Sequence, residues 1–396
     1  MSIINNLKTK NDIQIKYHKL VVAVILITSS FPTLNSGILN FILFSLVISS
    51  LFIFILTDEI KINGYLIWAL LVGIFISLSL IWTTNLELAL GPIKQYIITV
   101  TFFIYISFLI KTKSDFIMIL KLFVFSRIIM ALYIIIFIDF TTLGDIRIGS
   151  DNLGDNWNPN VIGMNLAFSS FSVLVLLKEK TDLRMNIVYI IEILLFSIII
   201  FLTGSKKALF ILIFSMGLFG IFSSKNNKLQ KVGFVLFISI IIFYFIMNIP
   251  LLYDSLGNRI EKLIASVIGE ETDISTEIRM NMIKNGFDFF IQQPFTGYGI
   301  NNFSELFGNI SGYFTYSHNN YIELLVGIGL FGTIIYYSGH IYILWKSISN
   351  KDVLAVFSLV SILTILVLDT GLVSYNSLYI HFFICLAYSS ISLRDK

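Results

Sequence analysis

The chain is short of charge. Only 13% of its 396 residues are Asp, Glu, Lys or Arg, about half the density of a soluble domain of that size. Cysteine is nearly missing as well. Cys385 stands alone in the last apolar run, which excludes an intrachain disulfide. There is no Gly-rich phosphate loop, no CxxC pair, no HExxH and no repeat of about 20–50 residues. No metal site and no cofactor are therefore expected.

What is present is apolar length. The chain is 56% hydrophobic with a mean hydropathy of +0.87. Runs of about 20 apolar residues recur along it, the length that crosses a bilayer core. Backbone groups in lipid must be satisfied within the segment, and nothing reads as a barrel, so these runs are expected to be helices. They fall near 19–35, 38–57, 65–82, 92–110, 116–138, 159–177, 186–203, 208–223, 232–249, 319–345, 352–372 and 376–392. The expected fold class is an all-α polytopic membrane protein of about 12 transmembrane helices. Its expected organisation is a membrane region over 1–249, a large extracytoplasmic loop with short helices over 250–318, and a three-helix membrane region over 319–396. No segment reads as a separate soluble domain. The N-terminus does not read as a cleavable signal, because Lys8, Lys10, Lys16 and Lys19 precede an apolar run without a small-residue cleavage site.

Lysine and arginine set the expected orientation. With the N-terminus in the cytoplasm, 17 of the 27 basic residues fall on the cytoplasmic side and 7 outside, with Lys94, Lys121 and Arg127 inside helices. Both termini are then cytoplasmic. The two long outer loops run over about 139–158 and about 250–318. A long ordered loop carries function more often than a short connector does.

The basic residues outside run against this rule: Arg147, Lys206, Lys207, Arg259, Lys262, Arg279 and Lys284. Lys206 and Lys207 sit in the turn TGSKKAL at the start of the eighth predicted helix. The helix dipole is already positive there, so two cations favour a bound anion; the alternative is snorkelling to headgroups. Arg279 lies in STEIRMNMIKNGFDFFIQQP, predicted to be an amphipathic helix with Thr276 as N-cap and Ile278, Met282, Ile283 and Phe287 as its apolar stripe. In a first turn, its guanidinium and free N–H groups would share a phosphate; the alternative is a surface ion pair with Glu277 or Asp273. His318 lies where the large loop re-enters the membrane. An imidazole there can serve as a general base, though a lone interfacial histidine is usually without such a role. His18 is expected to be solvated, and His340 and His381 to pack inside helices. Arg127 and Glu192 sit mid-helix and could pair with each other.

Four patches together resemble one family. PFTGYGINNF (294–303) and SHNNYIELLVGIGLFG (317–332) resemble the Pro-x-x-Gly-x-Gly turn, His-Asn-x-Tyr and Gly-rich helix start of the O-antigen ligase and O-antigen polymerase family. STEIRMNMIKNGFDFFIQQP resembles its Arg-bearing helix, TGSKKALF (203–210) its Thr-x-Ser-Arg-x-Ala-Leu turn, and NPNVIGMNLA (158–167) its Asn-Pro-Asn-x-x-Gly patch. The resemblance covers about 150–345. It implies a metal-independent, GT-C-like inverting glycosyltransferase whose donor is a glycan on polyprenyl diphosphate. His318 would be the base, with Asn319 and Asn320 of the same motif at the substrate. Arg279 and Lys206 would hold the diphosphate, with Lys207, Arg259 and Arg147 as further cations. Lys206 stands where the family usually has Arg, and lysine cannot make the bidentate fork.

The first reading is a polysaccharide repeat-unit polymerase of the bacterial cytoplasmic membrane, acting on undecaprenyl-diphosphate-linked oligosaccharide. Membrane lipids, a chain-length regulator and a flippase would be its partners, and no nucleic acid. The second reading is a ligase moving glycan to lipid A-core or another acceptor. A transporter of lipid-linked sugars should show repeats and broken helices, and the sequence shows neither. A non-catalytic scaffold would not need cations placed against the orientation rule.

Overall fold

The computed structural model describes residues 2–31, 37–57, 60–139, 147–149, 153–154, 156–179, 182–223, 228–268 and 274–395. Among these every regular element is a helix. The apolar runs become α1 (Ser2–Thr28), α2 (Gly37–Thr57), α3 (Gly64–Leu78), α4 (Leu86–Leu109), α5 (Lys113–Phe137), α6 (Pro159–Leu176), α7 (Leu183–Leu202), α8 (Lys206–Phe222) and α9 (Lys228–Asn248). The segment read as a large loop holds α10 (Asn258–Ile268), α11 (Ile274–Gln292) and α12 (Phe303–Ser311). The chain closes with α13 (Asn320–Ile348), α14 (Val353–Leu368) and α15 (Leu378–Arg394). Parts of the first outer loop (140–146, 150–152 and 155) and Asp273 lie outside the described residues.

Among the described residues seven helices are long and apolar enough to span a bilayer, or eight if Val232–Asn248 and Pro250–Lys262, bent by 97°, count as one broken span. The chain is thus a multi-pass helical membrane protein. The sequence runs predicted about 12 spans, and part of the difference is length. Helices α8, α14 and α15 have 17, 16 and 17 residues, short of the roughly 20 that a bilayer core takes.

The contacts divide the chain into two units that interleave along it. The first comprises 1–61, 108–216 and 235–257. In it α1 packs on α2 and α5, and α6 packs between α5 and α7. Small residues on α6 (Gly163, Ala167, Ser169, Ser170) are buried there, which lets helices approach closely. Arg127 on α5 is buried, with its guanidinium at the Leu26 carbonyl of α1 and the Ser30 hydroxyl just after it, and over the Phe123 ring. Its hydrogen-bond partners therefore come from α1 and the turn after it, whereas Glu192 Oε2 has no hydrogen-bond partner among the described residues. His18, expected to be solvated, is buried against the rings of Tyr17 and Phe54. The cause is that α1 begins at Ser2, which puts His18 inside the helix rather than before it.

The second unit comprises 62–107, 217–234 and 258–396. Helix α13 packs on α3, α11, α14 and α15. Trp68 donates from Nε1 to the Tyr336 carbonyl at 2.9 Å. His381 gives its Nε2 proton to the Tyr375 carbonyl at 2.8 Å, so Nδ1 accepts from the Tyr65 hydroxyl at 3.0 Å. His340 and His381 are both fully buried.

One helix of this unit is broken, which the sequence did not indicate. Gly329 in α13 has φ 66° and ψ −170°, a backbone conformation reserved for glycine. The break frees backbone groups, and the turn PFTGYG fills them. Tyr298 and Gly299 donate from their N–H groups to the carbonyls of Val326 (2.8 Å) and Gly327 (3.0 Å), and Leu330 donates to Pro294 (2.8 Å). Beyond Ile300, Asn301 and Asn302 bind the start of α4 and the turn before it. Pro92 has no N–H, so the Leu88 carbonyl lacks its helical donor. Asn301 Nδ2 supplies one at 2.9 Å. Asn302 Oδ1 accepts from the Thr84 hydroxyl (2.9 Å) and the Asn85 N–H (2.8 Å).

Candidate functional site

The segment that carries His318 leaves α12 through Gly312, whose φ is 77° and whose N–H returns to the Gly308 carbonyl at 2.8 Å. It is pinned again just before α13. Ser317 is buried; its N–H donates to Glu323 Oε2 at 3.0 Å and its hydroxyl to the Asn319 carbonyl at 2.7 Å. Asn319 caps α13, its Oδ1 accepting from the Ile322 N–H at 3.1 Å while Nδ2 donates to the Thr370 carbonyl at 3.2 Å. Asn320 is fully buried. Its Nδ2 donates to the Tyr337 hydroxyl (3.0 Å) and Asp369 Oδ2 (3.2 Å), and its Oδ1 accepts from the N–H groups of Ser374 (2.9 Å) and Tyr375 (3.0 Å).

Between these anchors His318 takes φ 55°. A non-glycine residue in that region costs about 1–3 kcal/mol and persists only where its surroundings over-determine it. Ser317 on one side and Asn319 on the other do so here. His318 is half-buried, and its ring lies 4.1 Å from the Tyr316 ring at a tilt of 46°. Arg279 is exposed on α11, near enough for its charge to act on the Tyr316 phenol. Burial pushes that phenol above its ordinary pKa, Arg279 offsets part of the rise, and Glu323 adds to it. In this unit Tyr316, His318 and the two asparagines therefore lie together in one segment, and the charge of Arg279 acts on the Tyr316 phenol.

The position of Arg279 differs from the sequence expectation. Helix α11 already includes Ile274, so Thr276 is inside it, Glu277 occupies its first turn and Arg279 lies beyond that turn. The apolar stripe shifts too. Met282 is buried with Phe303, Phe307, Ile322 and Val326, and Ile278, Ile283 and Phe289 pack on that cluster. Phe287 is 51% exposed, because nine residues from Ile278 is about two and a half turns, which lands on the opposite face. Gly286 takes its place inward: a Cβ there would lie 2.3 Å from Ile322.

The first unit holds Arg147, Lys206 and Lys207, and the second holds Arg259. Lys206 and Lys207 are the first two residues of α8 and half-buried. Ser205 precedes them, its hydroxyl accepting from the Ala208 N–H at 3.3 Å and donating to Asn160 Oδ1 at 2.9 Å. Arg147 Nε donates to the Thr203 carbonyl at 2.7 Å, and its Nη2 is 3.5 Å from Asn160 Oδ1. Gly204 has φ 58°, and a Cβ on it would lie 2.2 Å from the Ser255 carbonyl oxygen. A Cβ on Gly163 would lie 2.7 Å from that of Ala208. The NPNVIG patch and the TGSKKA turn, separate in sequence, thus form one structure with Arg147 against it. Arg259 is exposed near the start of α10.

Sequence reasoning missed Tyr316, Ser317, Glu323 and Asp369, which surround or pin His318. Glu323, five residues on, looked like any helix carboxylate, and Asp369 follows the next helix. Residues 192–337 match the family model described as O-antigen ligase. That stretch begins on α7 and ends on α13, taking in the TGSKKA turn, α11, the PFTGYG plug and the His318 segment. No curated protein matches the chain. Residues 192–337 are thus similar to the O-antigen ligase family, and the strained histidine and the basic turn both lie within the matched stretch.

Proposed function

We propose that the protein is a polysaccharide repeat-unit polymerase at the outer face of the bacterial cytoplasmic membrane. Its donor is a glycan on undecaprenyl diphosphate and its acceptor a lipid-linked repeat unit. The acceptor hydroxyl oxygen attacks the anomeric carbon, the bond from that carbon to the diphosphate oxygen breaks, and its electron pair leaves with the diphosphate. His318 takes the hydroxyl proton. Attack opposite the leaving group inverts the anomeric centre. In the second unit Arg279, with Arg259, would meet developing phosphate charge. In the first unit, Lys206 and Lys207 with Arg147 offer phosphate a further group of cations.

The observation that carries this reading is His318, held in a left-handed backbone between two pinned neighbours. Strain of that kind collects at functional sites. The match to the O-antigen ligase family is equally compatible with the second reading, transfer to lipid A-core or another acceptor. The two reactions share donor and base and differ in acceptor. The placement of both termini in the cytoplasm follows the lysine and arginine distribution. A chain-length regulator and a flippase are the expected partners.

A gel of surface polysaccharide from a deletion strain tests the proposal. Loss of the ladder to a single-repeat band, restored by wild type and not by His318→Ala, is the expected result. A His318→Ala strain with a normal ladder would sink the base. Loss of all surface glycan, with long lipid-linked polymer retained in the membrane, would assign the ligase.

A further inference from the structure

We propose that Tyr316 is the contact surface for the acceptor sugar, the face on which a pyranose lies while its hydroxyl meets His318. The proposal rests on the reading of His318 as the base. Ser317 is buried and bonded from both its N–H and its hydroxyl. The residues on either side of it are exposed and half-buried. Tyr316 and His318 are those neighbours, and their rings are in contact at 4.1 Å. The tilt of 46° leaves the pair open as a wedge rather than closed as a stack.

A hydroxyl within about 3 Å of the imidazole brings its sugar ring to the same wedge. The C–H face of a pyranose is apolar and its rim is hydroxylated. A phenol matches both, with an apolar ring and an O–H that donates and accepts. Tyr316 is 43% exposed, so its face is available. Its phenol also feels the charge of Arg279, so the residue links the proposed base to the proposed phosphate cation. Glu323 anchors the segment from behind through Ser317 and is buried. It positions the wedge and does not reach the sugar. The competing occupant is the lipid surface, since exposed tyrosines also line membrane interfaces. The contact with His318 favours sugar, because a ring serving only as a membrane anchor has no need to touch the base.

The test uses the full-length protein in nanodiscs and, in parallel, in detergent micelles. The probe is the lipid-linked repeat unit extracted from the deletion strain, both donor and acceptor in the proposed reaction. Tyr316→Leu should raise KM about tenfold with kcat within about twofold, the signature of lost binding. Tyr316→Phe and Tyr316→Trp should keep KM within about threefold of wild type, because the ring face remains. The added tryptophan fluorescence of Tyr316→Trp should change as the probe is titrated in, which tests the contact even if the leucine variant does not fold. An unchanged KM in Tyr316→Leu, or a silent tryptophan, overturns the proposal. So does a KM rise seen in nanodiscs and absent in micelles, which would assign the ring to lipid. His318→Ala separates the two claims. A loss of kcat of about 100-fold or more, beside a normal Tyr316→Leu, would refute Tyr316 alone. An active His318→Ala would refute the underlying reading.

Discussion

Asn320 shows how much a motif residue can mean structurally. All of its side-chain hydrogen-bonding directions are used, two donated and two accepted, and none reaches solvent. The motif placed it at the substrate; in the structure it ties the start of α13 to residues 369–375. Replacing it by leucine would leave the Ser374 and Tyr375 N–H groups and part of Asp369 unsatisfied in a buried site. Asn320→Leu should therefore cost about 2–4 kcal/mol. A thermal melt in detergent should show a clear fall relative to wild type, and an unshifted melt would mean these bonds contribute little. His318 stood out in the sequence as the histidine expected where the large loop re-enters the membrane. Its left-handed backbone did not, because the partners that impose it, Ser317 and Glu323, carry no pattern of their own. Tyr316 was invisible for a related reason. An aromatic residue in a loop of a protein with 18 tyrosines and 37 phenylalanines attracts no notice.

Among elements, α13 departs most from what periodicity implies. Its apolar run is continuous, so hydropathy reads one helix, and the break appears only in the glycines. A helix that opens mid-run needs donors and acceptors from elsewhere, and PFTGYG supplies them in three backbone bonds. The resemblance in these two patches is therefore a resemblance between docked partners, which explains why they occur together. Gly329 carries the geometry. A Cβ there would sit 2.2 Å from the Phe295 carbonyl oxygen in a backbone that L-residues rarely adopt. Gly329→Ala should destabilise by about 3 kcal/mol or more and lower accumulation in the membrane. A Cβ on Gly220 of α8 would meet nothing within 4 Å, so Gly220→Ala should be neutral or stabilising by up to about 1 kcal/mol. Equal membrane yields for the two variants would refute the account of the break. Because the turn reaches both α13 and the start of α4, the Gly329 variant should also lose surface polymer.

For the molecule as a whole, helical class and most element positions were legible because apolar runs and caps are local. The interleaving of two units was not, because it depends on contacts far apart in sequence. Orientation across the membrane rests on the lysine and arginine distribution alone, and the proposed chemistry depends on it. An undecaprenyl-linked acceptor at the outer face can reach His318 only if α11 and the segment after α12 are outside. Cys385 is the sole cysteine and is buried, which makes Cys385→Ala a convenient background. Lys178→Cys and Lys284→Cys replace exposed residues predicted to lie on opposite sides. A membrane-impermeant maleimide applied to intact cells should label the second and spare the first, and lysis should expose both. The reverse pattern would put Arg279 and His318 on the cytoplasmic side. Transfer would then have to precede export of the lipid-linked glycan, and the proposed polymerase and the ligase alternative would fail together.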